Sequence, residues 1–138
     1  METVFQNEYM NIHYYGEIRT LEQEFLPKSE ELFDRFYQEQ MLGFLEFAKV
    51  KLPVQLIINV LKGGPTMNPE IQKWMQDNYY DHLVEIGVKR KAYLLGEELV
   101  AQLSIKQTAE EDPNQKFEYS YFSDHNDALE WLSSFVKS

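Results

Sequence analysis

The chain has 138 residues, of which 43% are hydrophobic and 14% aromatic, and it carries a formal net charge of −10. This composition is typical of a folded globular protein, and its length predicts a single domain over residues 1–138. The negative average field repels polyanions, so we expect no nucleic-acid partner. The absence of cysteine excludes disulfides, thiolate metal sites and cysteine nucleophiles.

The N-terminal residues and the hydrophobic runs predict a protein that is neither secreted nor inserted in a membrane. Residues 1–8 lack the basic start and the apolar core of a signal peptide. No apolar run approaches the ~20 residues that span a bilayer. We therefore expect a cytoplasmic protein.

The first predicted elements are two strands that form a β-hairpin. The β-prone runs at 10–15 and 18–25 flank a Gly-Glu pair at 16–17. A two-residue loop of this Gly-X type is typical of a hairpin turn. Residues 4–5 are expected to extend the first strand backward.

A long amphipathic helix is predicted after the hairpin. Ser29 is a suitable start, because its hydroxyl can cap free backbone amides. The two glutamates that follow it, at 30–31, interact favourably with the positive end of the helix dipole. Pro53 ends the helix. Apolar side chains recur between these points at helical spacing: Phe33, Phe36, Tyr37, Met41, Phe44, Leu45 and Ala48.

The middle of the chain predicts a strand, a helix and a second strand. The run at 54–60 is apolar on both alternating faces, as in an interior strand of a parallel sheet. Asn68 is expected to cap a helix from about 69 to 86, with Pro69 at its first position. A second strand follows near 89–95. This βαβ order favours an α/β fold.

The C-terminal third predicts a further helix, strand and helix. The acidic pair 97–98 begins a helix, and the polar segment 109–115 predicts a solvated loop. Residues 117–121 alternate between aromatic and polar side chains, which suits an edge strand. The Ser-Asp pair at 123–124 begins the last helix.

In chain order these elements predict an N-terminal β-hairpin followed by α-β-α-β-α-β-α. Right-handed crossovers allow few layouts for this order. The simplest one adds each strand beside its predecessor. We therefore expect an α/β domain with a mostly parallel, five-stranded sheet in sequence order.

This order of elements resembles the STAS/SpoIIAA-like superfamily, and the similarity covers roughly residues 10–136. The closing segment 121–132, Tyr-Phe-Ser-Asp-His-Asn-Asp-Ala-Leu-Glu-Trp-Leu, resembles the F-S-D…A-x-x-W-L ending that is common in SpoIIAA-like proteins. The resemblance implies a (βα) superhelix related to that of the CRAL-TRIO lipid-binding domains. It also implies a regulatory role without catalysis.

Anti-sigma-factor antagonists of this superfamily are phosphorylated on a hydroxyl in an Asp-Ser-x-Gly-like stretch after the third strand. The corresponding stretch here, 59–68, contains no Asp-Ser pair. Its only hydroxyl belongs to Thr66, which does not match the motif. No phosphorylation site is therefore carried over to this chain.

The same stretch is the candidate binding site for a ligand or a partner. It lies between the carboxyl end of a strand and the amino end of a helix, where α/β folds bind ligands. Its free amides and its lysine can hold a small anion, but Gly-Gly-Pro is also an ordinary chain turn, and the nucleotide P-loop pattern is absent. The candidate residues are Asn59, Lys62, Gly63, Gly64, Thr66 and Asn68.

The other titratable residues form no catalytic or metal-binding pattern. His82 lies on the apolar face of the predicted helix and is expected to be a core or boundary residue, and no second His or Cys forms a metal-binding set with it. His13 and His125 are far apart in the sequence. Glu22 and Glu24 point to the same face of one predicted strand, and helix dipoles or solvation explain such carboxylates more simply than acid–base catalysis. We expect no enzymatic activity, metal or cofactor.

Two functions remain open. The preferred one is a regulatory or protein-interaction module, without catalysis, that binds a partner protein or senses a small signal. The alternative is a carrier of a small apolar or lipid-like ligand, suggested by the relation to CRAL-TRIO domains and by the aromatic-rich first helix. A domain of this size that fills its own core leaves little room for a lipid.

Overall fold

The structure, a computed structural model, describes residues 1–109 and 116–136, without the side chains of 105–109. Residues 110–115 of the predicted loop lie outside these ranges. The strands are β1 (Glu2–Gln6), β2 (Met10–Tyr15), β3 (Thr20–Phe25), β4 (Gln55–Asn59), β5 (Arg90–Leu94) and β6 (Glu118–Phe122). The helices are α1 (Asp34–Lys51), α2 (Pro69–Asn78), α3 (Tyr80–Glu85), α4 (Glu97–Ala109) and α5 (His125–Ser133).

The strands form one mixed sheet in the order β1-β2-β3-β4-β5-β6. The α/β class and the sequential order of the strands are confirmed. The expected mostly parallel sheet of five strands is wrong in detail, because six strands pair and only β3 to β6 run parallel, while β1, β2 and β3 are antiparallel.

The additional strand is β1, which the sequence analysis treated as a backward extension of the first hairpin strand. The chain instead reverses after Gln6, where the Asn7 Oδ1 accepts hydrogen bonds from the backbone N–H groups of Tyr9 and Met10, both at 2.8 Å. Asparagine side chains stabilise turns in this way. The turn places Glu2 opposite Tyr14, so β1 pairs with β2 as a separate edge strand.

The loop between β2 and β3 is longer than the predicted two-residue turn. A 3₁₀ turn at Gly16–Ile18 is followed by Arg19 in the left-handed region, with φ of 48°. This longer loop carries the Ile18 side chain into the core beneath α5. Contact with a distant helix, rather than local turn chemistry, determines the loop length.

The first long helix, α1, begins at Asp34 and not near Ser29. Ser29 is buried in a 3₁₀ turn at Pro27–Glu31, and its hydroxyl donates to the backbone carbonyl of Leu26 at 2.6 Å. The hydroxyl that was predicted to cap the helix therefore stabilises the preceding turn.

The predicted helix at 69–86 begins as expected but is interrupted. The Asn68 Oδ1 accepts from the backbone N–H of Ile71 at 2.8 Å, which confirms the predicted cap. The break occurs at Tyr79, whose side chain is buried against α1 and the sheet. In the short α3 that follows, His82 is exposed beside Glu85, so the expected core or boundary position is wrong.

The two faces of the sheet carry separate cores. One core lies beneath α1, α2 and α3, and the other beneath α5, which packs on β5 and β6. Because side chains alternate along a strand, Leu21 and Phe25 of β3 belong to the first core, whereas Glu22 and Glu24 point to the opposite face.

None of the helices in residues 1–109 and 116–136 combines the length and the apolar character that crossing a bilayer requires.

Candidate functional site

The predicted binding stretch, 59–68, joins β4 to α2, and its polar side chains contact the protein itself. Asn59 Nδ2 donates to Glu22 Oε2 at 3.0 Å, and Asn59 Oδ1 accepts from the backbone N–H of Leu61 at 3.0 Å. The Lys62 ammonium lies 3.2 Å from Glu24 Oε2. Its charge is thus paired with a carboxylate, while Thr66 is exposed and Asn68 caps α2.

The two glycines of this loop permit close approaches. Gly63 has φ of 145°, and a Cβ at this position would lie 3.1 Å from the Cα of Pro27. A Cβ on Gly64 would lie 2.9 Å from Cγ1 of Val60. Gly63 thus allows the loop to lie against the 3₁₀ turn at Pro27–Glu31, whereas Gly64 allows a close approach to Val60 within the loop.

Replacing Gly63 with alanine is expected to lower the free energy of unfolding by about 1–3 kcal/mol, because the positive φ and the contact with Pro27 both oppose a Cβ. Gly43→Ala is the matched control. Gly43 lies in α1 with open space around its Cα, so alanine there should stabilise the protein by about 0.5–1 kcal/mol. Urea unfolding measures both, and equal effects at the two positions would contradict this account.

Glu22 is the centre of a buried polar network on the α5 face of the sheet. Its Oε1 accepts from the Tyr15 hydroxyl at 2.7 Å and lies 2.8 Å from Nε2 of His125. Its side chain is only 2% exposed. Burial alone would raise the pKa of Glu22, but the hydrogen bonds from His125, Asn59 and Tyr15 outweigh burial and lower the pKa. The hydrogen bond to Glu22 in turn raises the pKa of His125.

Glu24 forms the second half of the network. Its Oε1 lies 3.0 Å from both Nε2 of His13 and Nδ2 of Asn11, and its Oε2 pairs with Lys62. Burial opposes ionisation here too, yet these contacts lower the pKa of Glu24 to about 2. The register explains part of the arrangement, because Asn11 of β2 lies opposite Glu24 of β3.

The alternation of the strand predicted Glu22 and Glu24 on one face, but it did not predict that His125 contacts Glu22 or that His13 contacts Glu24. The fold joins Glu22 to His125 across 103 positions of the chain. Each oxygen of the two carboxylates already accepts from an internal donor. These contacts connect α5 and the 59–68 loop to β3.

The opposite face of the sheet contains an apolar cavity of about 200 Å³. Its walls come from α1, β4, α2 and the residue that interrupts the helix: Tyr37, Met41, Leu56, Ile58, Met75 and Tyr79. The rim includes Val60, Pro65 and Met67 of the loop that follows β4, and Met67 is 41% exposed. The predicted loop thus borders the cavity, but through apolar side chains that the sequence analysis did not select.

Two fully buried polar side chains, Gln23 and Tyr79, line this cavity. Each has one polar atom without a hydrogen-bond partner in the described part of the chain. Gln23 donates through Nε2 to the sulfur atoms of Met10 and Met41, both at 3.4 Å, while its Oε1 is unpaired. The hydroxyl of Tyr79 is unpaired as well. More than nine in ten buried polar groups in native proteins have partners, so two orphans in one cavity are unusual.

Lys91 of β5 lines the same cavity and is 4% exposed. Its ammonium lies over the rings of Tyr80 and Phe117, 4.1 and 4.4 Å from their centroids. In the ranges that the structure describes, no carboxylate forms an ion pair with it. Burial lowers the pKa of Lys91 to about 7.

Two polar residues of the cavity, Gln23 and Lys91, could have been identified from the sequence. Gln23 occurs between Leu21 and Phe25, two apolar residues on the same strand face, so the alternation itself places an amide in the core. Lys91 is likewise a charged residue in the interior of an otherwise buried strand. A buried polar residue is more informative than an exposed apolar one.

Comparisons with known proteins found no match among the family models, the curated proteins or the solved structures.

Proposed function

We propose that the protein is a binding module, without catalytic activity, for a small and largely apolar ligand that occupies the cavity beneath α1, α2 and α3. The observation that carries this proposal is the pair of buried polar atoms at Gln23 and Tyr79, which have no hydrogen-bond partner in the described part of the chain, together with the buried Lys91 on the same cavity wall. An unpaired buried polar group costs about 1–3 kcal/mol of stability. Such groups are frequently retained where they serve recognition.

The cavity volume limits the size of the ligand. An engineered apolar cavity of about 150 Å³ binds benzene. The cavity here, at about 200 Å³, accordingly suits one aromatic ring with a short substituent or a short alkyl chain. This size favours a small signal molecule over the lipid-like ligand of a carrier.

The regulatory role and the place of the chain in the STAS/SpoIIAA-like superfamily are part of this proposal. The sequential strand order supports the superfamily. An exposed aromatic pair supports a partner surface, since the rings of Phe33 and Phe36, before and within the first turn of α1, lie 5.7 Å apart and both side chains are exposed. In this proposal a bound small molecule changes the binding of the module to its partner protein.

Indole, a small neutral aromatic probe, is expected to bind the wild-type protein and to shift the NMR signals of backbone amides in residues that line the cavity. Val60→Phe should weaken binding at least about tenfold, because Val60 lines the rim and a larger ring there narrows the cavity. Leu61→Phe is the control, since Leu61 is the adjacent exposed residue and does not line the cavity.

Heteronuclear NMR titration distinguishes the outcomes. Shifts confined to the cavity residues, lost in Val60→Phe and kept in Leu61→Phe, would support the proposal. Absence of saturable shifts with indole, and with the acids and amides named below, would contradict it.

A further inference from the structure

Lys91 has no carboxylate partner within residues 1–109 and 116–136, and its charge defines the chemistry of the ligand more closely than size alone. We propose that the cavity binds a small carboxylic acid, with one aromatic ring or a short alkyl chain, whose carboxylate pairs with Lys91 and accepts a hydrogen bond from the Tyr79 hydroxyl. This inference rests on the proposed function, which by itself requires only a small apolar ligand.

The charge of the cavity is the first argument. Lys91 is buried, and the groups around its ammonium are the aromatic rings of Tyr80 and Phe117. Aromatic rings compensate an ammonium only partly, and a buried charge without a counter-ion is costly. A single carboxylate supplies one negative charge, which matches one lysine. Lys91 is the one cation among the described residues that line the cavity, so a larger and more highly charged phosphate ester lacks further cations to bind it.

The hydrogen-bond donors of the cavity are the second argument. Burial raises the pKa of Tyr79 well above its usual value, so its hydroxyl keeps the proton and acts as a donor. Its ring is held by stacking on Trp74, with the planes 19° apart. A carboxylate oxygen is the acceptor that this unpaired donor lacks.

The remaining orphan atom predicts a further property of the ligand. Both sulfur contacts of Gln23 use its Nε2, so the free Oε1 can only accept a hydrogen bond. A ligand with a donor of its own, such as a hydroxyl group, satisfies it. We therefore expect a small hydroxy acid to bind more tightly than the same acid without the hydroxyl.

Matched acids and amides test this inference by calorimetry at about pH 7. The probes are benzoate against benzamide and hexanoate against hexanamide, which differ in charge but hardly in size. The wild-type protein should bind each acid at least about tenfold more tightly than its amide, as expected for a charge-assisted hydrogen bond. Lys91→Met should remove this preference while it retains amide binding.

Lys89→Met is the matched control, because Lys89 lies just before β5, is exposed and does not line the cavity. It should keep the wild-type preference for acids. Thermal unfolding of each variant verifies that it is folded before binding is measured.

The possible failures are distinguishable. Equal binding of acids and amides by the wild type, or an unchanged preference in Lys91→Met, would overturn the carboxylate inference and leave the proposed function standing. Failure of indole, the acids and the amides alike to bind would overturn the proposed function as well.

Discussion

Lys91→Met is expected to raise the free energy of unfolding at about pH 7, on the order of 2 kcal/mol. The wild-type side chain is buried with no counter-ion from the described residues, whereas methionine fills a similar volume without a charge to desolvate. Guanidinium unfolding of the two proteins measures the difference. A variant less stable than the wild type would contradict the unpaired, desolvated state of this lysine.

The pH dependence of this effect has a defined sign. The pKa of Lys91 is about 7 in the folded protein and 10.5 in the unfolded chain, so between these values the unfolded state binds more protons. The contribution of Lys91 to the stability of the wild type therefore rises with pH from about 7 to about 9. The tyrosines that share the cavity with Lys91 keep their protons over this interval, since burial raises the pKa of Tyr37, Tyr79, Tyr80 and Tyr93.

Lys91→Met should remove most of this rise, and Lys89→Met should preserve it, because Lys89 is exposed. Parallel curves of unfolding free energy against pH for the wild type and Lys91→Met would show that the lysine does not titrate in this interval. A buried group that lowers stability while it lines a cavity is the expected trade-off at a binding site.

Glu22→Leu is expected to destabilise the protein by about 3–5 kcal/mol, the usual cost of removing one partner from a buried charged pair. Leucine would leave the Tyr15 hydroxyl, the His125 imidazole and the Asn59 amide without their common acceptor. Glu46→Leu is the control. Glu46 is exposed on α1 and forms an ion pair with Lys49, so its loss should cost at most about 1 kcal/mol.

The same network predicts a pH optimum for its contribution to stability. The lowered pKa of Glu22 makes its contribution present above the unfolded value of 4.5, and the contribution is lost as the pH falls through the folded pKa. The raised pKa of His125 makes its contribution complete below 6.5, and that contribution is lost as the pH rises through the folded pKa. The pair therefore contributes most between 4.5 and 6.5.

His125→Gln tests this window, since a neutral amide at the start of α5 has no proton to gain or lose. The part of the stability that the wild type loses between about pH 6 and about pH 9 through His125 should disappear in the variant. A variant with the full wild-type pH dependence would contradict the assignment of the pair.

The features predicted correctly from the sequence are those with local chemical causes. Asn68 caps α2 because its side chain reaches a backbone amide three residues away, and Asp124 caps α5 in the same manner. Apolar alternation identified the strands β2 to β6, although their bounds moved by a few residues. Short connections and right-handed crossovers then restricted the order in which these strands pair.

The features that the sequence analysis missed depend on contacts between distant segments. Ser29 lies in a turn instead of capping α1, and the helix breaks at Tyr79. Both follow from what packs against these residues. Helix propensity depends on residues that are adjacent in the sequence and contains no information on contacts between distant segments. Tertiary packing can therefore override these weak local preferences.

The amino-acid sequence by itself determined the class of the fold, the order of strands β2 to β6 and the helix starts at Asn68 and Asp124, because hydrophobic period and capping act over a few residues. Only the tertiary structure decided which polar groups are paired. It brings His125 to Glu22 across 103 positions, and among the residues it describes it gives Lys91 no carboxylate partner. Pairing is a property of positions in space, and two carboxylates or two lysines that look alike in the sequence differ once burial separates the satisfied group from the unsatisfied one.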